Sequence, residues 1–229
     1  MRIETHELNS QSSIRNSQLK RSLLIIFLVL LFDQAAKIYI KTHLYLGQEI
    51  HLAGKWFIIH FTENYGMAFG LELGGSAGKF LLSFFRIAAV IGIGWYLWAL
   101  IKKKSHPGLI AGMSLIFAGA IGNIIDSAFY GIIFSESSFQ LAKLFPPEGG
   151  YASFLQGRVV DMLYFPIIEG HFPSWVPMWG DEEFIFFRPV FNIADSTITI
   201  GVLSLLIWQK KFFSKEIPAE PDSQIVTGQ

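Results

Sequence analysis

The chain has 229 residues, of which 52% are hydrophobic and 16% are charged, and its mean hydropathy is +0.42. This composition is too apolar for an ordinary soluble domain and indicates a membrane protein. The 18 basic residues balance the 18 acidic ones, so no net positive charge points to nucleic acid as a partner. The absence of cysteine excludes disulfides, thiolate nucleophiles and thiolate metal sites.

Four apolar runs are long enough to cross a bilayer as helices, which takes about 20 residues. They cover residues 22–40, 80–101, 108–128 and 190–208. The first 21 residues are polar and no small-residue cleavage pattern follows the first run, so we expect an uncleaved anchor. With no internal repeat, residues 1–229 are predicted to form a single integral membrane domain.

Basic residues predict how these runs are oriented. They precede the first run, join the second to the third at 102–104, and follow the fourth. By the positive-inside rule, the two tails at 1–21 and 209–229 are predicted to be cytoplasmic, and the connections at 41–79 and 129–189 to lie outside. The polar tail after the fourth run is predicted to be disordered.

Polar side chains concentrate in the outer third of the four runs, whereas the inner halves carry no charge. A channel or proton wire would need polar groups at every depth, so this pattern favours a site that opens outward. The polar residues at this level are Asp33, Gln34, Lys37, Arg86, Asn123, Asp126, Asn192 and Asp195.

The two outer connections predict different structures. The mixture of β-branched and aromatic residues at 55–64 predicts strands of a small sheet at the membrane surface. Residues 135–145 begin with a serine and predict a short interfacial helix before two prolines. Trp175 and Trp179, among prolines, predict a loop at headgroup level. The apolar side chains predicted for the interfacial helix are Phe139, Leu141, Leu144 and Phe145.

Two aspartates are candidates for chemistry. Asp195 falls about one and a half turns into the fourth run, where a carboxylate is expensive and rarely left without a use. Asp161 follows two β-branched residues in GRVVDMLYF, and we expect it on a loop just outside a span. If the two meet, one keeps a proton, and the pair can then activate water as base and acid without a metal. No histidine pair has metal-ligand spacing.

Structural explanations remain open for the same residues. Asp195 could cap the start of a helix or complement its dipole, and Asp161 could be a solvated loop acid. Asp33 and Lys37 have the i,i+4 spacing of a salt bridge, and Arg86 could pair with an acid or reach the headgroups. The asparagines could orient a carboxylate or join helices, and Gly119 could allow close helix packing.

Two other kinds of protein also remain open. A small proton-coupled carrier or lipid-transfer protein would use Asp161 and Asp195 as a relay, but it predicts polar residues deeper in the membrane and a repeat of helical halves. A non-enzymatic scaffold would leave several buried carboxylates unexplained.

Five motifs, taken in order, are specific as a set. They are DQAAK at 33–37, ENYGMAFG at 63–70, GAIGNIID at 119–126, GRVVDM at 157–162 and FNIAD at 191–195. Together they resemble the lipoprotein signal peptidase (signal peptidase II) family of bacteria, and the resemblance covers most of residues 22–208. It implies a membrane α-helical fold: four transmembrane helices with a small extracytoplasmic β-sheet, called a β-cradle, and an extracytoplasmic lid helix or loop.

The resemblance also implies an activity. Enzymes of this family are aspartic endopeptidases of the bacterial cytoplasmic (inner) membrane that need no cofactor or metal. They remove the signal peptide from diacylglyceryl-modified prolipoproteins, cutting before the lipidated cysteine near the outer leaflet. We expect a monomer whose catalytic residues are Asp161 and Asp195. The expected supporting or substrate-binding residues are Asp33, Lys37, Asn64, Gly66, Ala68, Gly119, Asn123, Asn192 and Ala194.

The chain departs from the family pattern in two ways. Ser127 stands where the family usually has arginine, so a contact is either missing or supplied elsewhere, with Arg158 as the candidate. Residues 130–156 and 166–189 are longer than the corresponding family segments. Both insertions are predicted to lie outside the membrane, where they could reshape the lid or form a partner surface.

Overall fold

The structure is a computed structural model that describes residues 2–65, 75–166, 168–171, 173–175, 177–178, 181–186 and 189–213. Gly66 and Ala68, two of the expected supporting residues, lie outside the described residues, as does Trp179.

Four apolar helices dominate the described residues: α1 (Arg2–His43), α2 (Gly75–Lys102), α3 (Pro107–Ile125) and α5 (Ile193–Ile207). Three helical segments, Ser12–His43, Leu81–Lys102 and Pro107–Ile133, are long and apolar enough to cross a membrane, and α5 is a shorter apolar helix. The expected four-helix membrane fold with a small sheet is confirmed.

The ends of these helices differ from the predicted spans. The α1 helix begins at Arg2, so much of the polar segment expected as a tail is helical. The expectation of disorder directly after Trp208 is wrong, because Gln209–Phe213 forms a short helix, α6. The fourth helix begins at Ile193, since residues 190–191 belong to a strand.

At the end that the basic residues predict to be the outer one, α3 continues past the predicted limit at residue 128. Residues Asp126–Tyr130 form a π-helical turn, and Gly131–Ile133 form one further α-helical turn, α4. Gly157 donates its amide to the Ser127 carbonyl at 2.8 Å, and a Cβ added at Gly157 would lie 2.2 Å from the Asp126 carbonyl oxygen. Only glycine therefore fits where the second outer connection returns to this helix end.

The helices pack around α3, which contacts α1, α2 and α5. A Cβ added at Gly119 would lie 2.3 Å from the carbonyl oxygen of Ala194, so this glycine allows α3 and α5 to pack closely. The inner half contains an apolar cluster of α2 and α3 residues and a buried hydroxyl pair, Ser22 and Ser114, whose oxygens are 2.7 Å apart.

An antiparallel sheet covers the outer end of the helices. Its four strands are β1 (Glu49–Ala53), β2 (Phe57–Asn64), β3 (Val159–Tyr164) and β6 (Val190–Phe191), in that spatial order. A separate hairpin pairs β4 (Ile168–His171) with β5 (Glu183–Phe186) inside the second insertion.

The sheet expected in the first outer connection is confirmed, but the expected loop around Asp161 is wrong. Asp161 lies in the middle of β3 and faces Thr62 of β2 across the ladder. The sequence around it, VVDMLY, is rich in β-branched and aromatic residues, which favour a strand.

The interfacial helix predicted over residues 135–145 is also wrong, because this segment is an irregular loop. Its backbone amides bond to distant groups: Ser135 to the Lys143 carbonyl, Ala142 to the Lys41 carbonyl, and Phe145 to the Ile133 carbonyl. These tertiary bonds replace the i to i−4 bonds that a helix would need.

Candidate active site

Asp161 lies on the face of β3 from which its side chain reaches Asn192, the residue that begins α5. Thr62 and Asn64 of β2 share that face, because directly paired and alternate residues of a sheet point the same way. The Asp161 Oδ1 atom accepts a hydrogen bond from Asn192 Nδ2 at 2.8 Å, and Asn64 also bonds to this carboxylate through its side chain. The side chain is buried and held by two amides.

Asp195 lies in the first turn of α5, and a reciprocal capping arrangement fixes its position. The Asn192 side chain caps the helix by accepting a hydrogen bond from the backbone amide of Asp195 at 2.9 Å. In return, Asp195 Oδ2 accepts a hydrogen bond from the backbone amide of Asn192 at 3.3 Å. The other oxygen, Oδ1, accepts a hydrogen bond from Asn123 Nδ2 at 2.8 Å. Capping, one of the structural explanations for this residue, is therefore present.

Two asparagines join the two aspartates. Asn192 contacts both carboxylates, and its Nδ2 also donates to Asn123 Oδ1 at 3.1 Å. Asn123 in turn accepts from Lys37 at 3.0 Å and donates to Asp195. These contacts show that both asparagines orient carboxylates, which was one of the open alternatives for them.

Burial raises the pKa of Asp161 to about 7, and the negative charge of Asp195 contributes to the increase, while hydrogen bonds from Asn192 and Asn64 oppose it. The Asp161 carboxyl can therefore keep its proton close to neutral pH. Arg86 of α2 is near enough to interact electrostatically with both Asp195 and Asp161, which favours pairing with an acid over contact with the headgroups, the two alternatives left open for this residue.

A deep cluster of charged and polar side chains lies below the two aspartates. It consists of Asp33, Gln34 and Lys37 of α1 together with Asp126 of the π-helical turn. Lys37 Nζ lies 2.8 Å from carboxylate oxygens of both Asp33 and Asp126, and all three side chains are fully buried. Gln34 donates to Asp126 at 2.9 Å and to Asp33 at 3.1 Å. The predicted Asp33–Lys37 salt bridge is confirmed.

The deep cluster bonds directly to the elements that carry the two aspartates. Asp33 Oδ1 accepts the Ala194 amide at 2.8 Å, which places a carboxylate at the positive N-terminal end of α5. Asp126 Oδ2 accepts the Val160 amide at 3.3 Å, next to Asp161 in β3. The deep cluster thus connects α1 and α3 to both residues of the candidate pair.

Sequence reasoning missed part of this arrangement. Asp126 and Gln34 were recognised as polar at the right depth, but not Asp126 as a partner of Lys37 nor Gln34 as a donor to Asp33 and Asp126. Tyr130, whose hydroxyl donates to Gln34 at 3.1 Å, was not singled out. A charged residue in an apolar run needs a partner, and that rule alone could have paired Asp126 with Lys37. Two further expected residues, Gly119 and Ala194, pack against one another, and Ala194 is fully buried.

A second group, the outer cluster, lies on the opposite face of β2 and β3. It consists of Lys41, Glu63, Glu136 and Arg158. Lys41 pairs with Glu63, and Arg158 binds Glu63 at 2.8 Å and Glu136 through two hydrogen bonds of 2.6 and 3.0 Å. Hydrogen bonding to Arg158 lowers the pKa of Glu136 to about 2.

Neighbouring side chains complete the outer cluster. Ser137 accepts a hydrogen bond from Lys41 at 2.7 Å and donates to Glu63 at 2.9 Å. The Tyr151 ring lies between the two cations, 5.0 Å from Lys41 Nζ and 5.0 Å from Arg158 Cζ. Arg158 is therefore engaged by glutamates, whereas Ser127, where the family usually has arginine, donates to the Asn123 carbonyl at 3.1 Å.

Among the described residues, no group of three or more histidines and carboxylates forms a candidate metal site. The chemistry that this arrangement supports is that of paired carboxylates. One acid comes from a strand and one from a helix start, and Asn192 bonds to both, an arrangement that fits the class of aspartic peptidases.

Comparisons with known proteins agree with this class. Residues 25–211 match the family described as signal peptidase (SPase) II. A lipoprotein signal peptidase of Porphyromonas gingivalis is 57% identical over 185 residues, covering 80% of this chain and 80% of that protein. A lipoprotein signal peptidase of Amoebophilus asiaticus is 38% identical over 190 residues, covering 82% and 76%.

A solved bacterial membrane enzyme, determined by the in meso method at 1.9 Å, is 26% identical with a TM-score of 0.54, covering 84% of this chain and 94% of that one. The chain therefore belongs to the signal peptidase II family. It is an aspartic endopeptidase, and members of its family remove signal peptides from prolipoproteins before the lipidated cysteine.

Proposed function

We propose that Asp161 and Asp195 are the catalytic pair of this peptidase and that they act on diacylglyceryl-modified prolipoproteins. The observation that carries the proposal is the double contact of Asn192, which bonds to a carboxylate oxygen of each aspartate. A residue that touches both acids holds them at a fixed separation around a common point, where a water and a scissile carbonyl would meet.

The raised pKa of Asp161, about 7, supports the role of this residue as the acid that carries the proton of the pair. The Asp195 carboxylate takes a proton from the attacking water. Asp161 donates a hydrogen bond to the developing oxyanion, and a proton from the pair then passes to the leaving amine as the C–N bond breaks.

The depth of the pair suits a substrate that is anchored by lipid. A diacylglyceryl group lies in one leaflet and the signal helix crosses the bilayer, so the scissile bond lies near the interface. The basic residues at 102–104 and at 210–211 support an orientation in which the opposite ends of the helices face the cytoplasm and the sheet and Asp161 lie outside. We place the enzyme in the bacterial inner membrane, with both termini cytoplasmic and with every residue of the site supplied by one copy.

The decisive experiment measures cleavage of a diacylglyceryl-modified precursor by the purified enzyme in lipid nanodiscs. We expect Asp161→Asn and Asp195→Asn each to lower the rate by about 10²–10⁴-fold, because each removes one partner of the proton transfer. Asp181→Asn is the matched control: this aspartate is exposed in the second insertion, and its φ of 64° is one that asparagine tolerates. Cleavage at the normal rate by either active-site variant would refute the catalytic pair.

A second measurement tests the substrate class. The same enzyme is given the precursor with and without the diacylglyceryl group on its cysteine. We expect cleavage to require the lipid, because an apolar anchor is needed to hold the scissile bond at this depth. Equal rates on both precursors would refute recognition of the lipid while leaving the aspartate pair intact.

A further inference from the structure

The loop at residues 134–145, in the first insertion, has a buried side and an apolar exposed side. Phe134, Ser137 and Ala142 are buried. The side chains of Phe139 and Phe145 are 97% and 72% exposed, which is unusual for large aromatic residues of a folded loop. Leu141 and Leu144 are exposed on the same loop.

The exposed side of this loop does not result from loose attachment. On the buried side, Ser137 bonds to both Lys41 and Glu63, and Glu136 binds Arg158 through two hydrogen bonds. The loop is also closed on itself, since Phe134 and Leu144 pair as an isolated bridge. The position of its apolar side is therefore fixed by the outer cluster.

The backbone bonds of the loop give its height relative to the membrane. The Ala142 amide bonds to the carbonyl of Lys41, in the last turn of α1, and the Phe145 amide bonds to the carbonyl of Ile133, at the end of α4. The loop thus connects the outer ends of two membrane-spanning segments, Ser12–His43 and Pro107–Ile133. A membrane-spanning helix ends near the boundary between hydrocarbon and headgroups, which is where these bonds would hold the loop.

The apolar side of the loop is continuous with the lipid-facing surface of those segments. In the second of these segments, Ile132 directly precedes Ile133 and Phe129 lies about one turn earlier, and both side chains are exposed. In the first, Tyr39 is exposed less than one turn before Lys41. Phe154, at the other end of the insertion, contacts the Phe129 ring at 5.9 Å between centroids. Exposed Lys143 stands among the apolar side chains, where its ammonium group can reach lipid phosphates.

We propose that the loop at 134–145 is an interfacial anchor whose Phe139, Leu141, Leu144 and Phe145 side chains enter the outer leaflet. A lipid surface is the occupant that the continuity with Ile132 and Phe129 favours, because aromatic and aliphatic side chains at this level partition into the headgroup boundary. The anchor would hold the outer cluster, and with it β2 and β3, at a fixed height above the bilayer.

The absence of cysteine from the chain makes a direct test possible. Single cysteines replace Phe139 and Phe145, and Leu141 is replaced if either of these variants folds poorly. Each cysteine is labelled with a nitroxide, and each variant is placed in nanodiscs that hold one enzyme molecule. Electron paramagnetic resonance then compares collisions with oxygen, which enriches in lipid, and with a water-soluble nickel chelate. Ile132→Cys supplies the lipid reference, and Glu148→Cys, exposed in the same insertion, supplies the water reference.

We expect the ratio of oxygen to nickel collisions at 139 and 145 to approach that at 132 and to exceed that at 148 clearly. Ratios at 139 and 145 equal to that at 148 would overturn the proposal. A ratio that rises only with a second enzyme copy per nanodisc would also overturn it, in favour of contact between copies. A ratio that rises only with lipidated substrate would overturn it in favour of a substrate-binding surface.

Discussion

The deep cluster and the outer cluster are built on the same face of α1 and differ in what they connect. Lys37 is the cation of the first, and Lys41, four residues later, belongs to the second. The three charged side chains of the deep cluster lie among helices and are fully buried, while the outer cluster joins α1 to the sheet and to an insertion. Glu136 of the outer cluster is partly exposed.

The two clusters also differ in charge balance. In the deep cluster a single lysine serves two carboxylates, Asp33 and Asp126. In the outer cluster two cations, Lys41 and Arg158, face Glu63 and Glu136. Loss of one cation therefore leaves buried carboxylates without a positive partner in the deep cluster, whereas in the outer cluster Glu63 keeps a second partner.

Removal of the deep cation should have the largest effect. We expect Lys37→Met to lower the free energy of unfolding by about 3–5 kcal/mol, because it leaves two buried carboxylates without a cation. Lys41→Met, the matched change one turn away, should cost clearly less, since Arg158 still pairs with Glu63. Unfolding of both variants in mixed detergent micelles provides the comparison, and equal losses would contradict the difference between the clusters.

Ionisation of Asp161, whose strand is bonded to the deep cluster, should lower the stability of the folded enzyme near neutral pH. The pKa of Asp161 is about 7 in the folded enzyme and about 3.9 in an unfolded chain, so folding favours the protonated form. The stabilising contribution of that proton is complete below about pH 4 and is lost as the pH rises toward 7. The Asp161→Asn side chain cannot ionise, so this variant should not lose stability in this way as the pH rises.

We therefore expect Asp161→Asn to be more stable than the natural enzyme by about 2–4 kcal/mol at pH 8, with the difference vanishing near pH 4. Unfolding free energies measured from pH 4 to pH 8 supply the test, and Asp181→Asn controls for the chemical change. A constant difference across this range would show that ionisation of Asp161 does not oppose folding.

The sequence was informative about the deep cluster and the membrane helices, and much less so about the outer cluster. Charges inside apolar runs, such as Asp33 and Lys37, are rare enough to be recognised. The four apolar runs correctly predicted helices, of which three are long enough to cross a membrane and the fourth is shorter. Asp161 was expected on a loop because a strand of six residues gives a weak signal and its partner, β2, is about a hundred residues away.

The outer cluster was not predicted because its members have no common local pattern. Glu136 lies in a segment whose serine start and apolar spacing favoured a helix. Tertiary hydrogen bonds to Lys41 and Ile133 override that local preference. Arg158 was considered as a replacement for a missing arginine, and only the structure reveals its two glutamate partners.

Loss of the arginine in the outer cluster should affect catalysis more than folding. Arg158 precedes Val159 at the start of β3, and Glu63 pairs with Val160 across the ladder, so their ion pair holds the two strands behind Asp161. We expect Arg158→Met to lower kcat by about 10-fold with little change in KM, since displacement by about 1 Å can cost up to about 100-fold. Arg158→Lys should recover the charge but not the two-bond contact with Glu136.

The test measures kcat and KM on a lipidated precursor for the natural enzyme, Arg158→Met and Arg158→Lys, together with the pH profile of kcat. A purely structural role would lower the amount of folded enzyme and leave kcat and its pH profile unchanged. A shift in the pH profile of the Met variant would show that the ion pair acts through the environment of Asp161. An unchanged kcat in folded Arg158→Met would rule this role out.

The smallest effect should come from Glu136, the partly exposed member of the outer cluster. Because Arg158 also binds Glu63, Glu136→Gln removes one partner and leaves the cation paired, so we expect the free energy of unfolding to fall by less than about 1 kcal/mol at neutral pH.

The pKa of Glu136 is about 2, below its usual value, so its contribution to stability is present above about pH 4.5 and is lost as the pH falls toward 2. The difference in unfolding temperature between the natural enzyme and Glu136→Gln should thus shrink on acidification and in high salt, with Glu148→Gln as the control in the same insertion. A loss as large as that of Lys37→Met would mean that Glu136 is not a peripheral member, and that the insertion is as integral to the fold as the deep cluster.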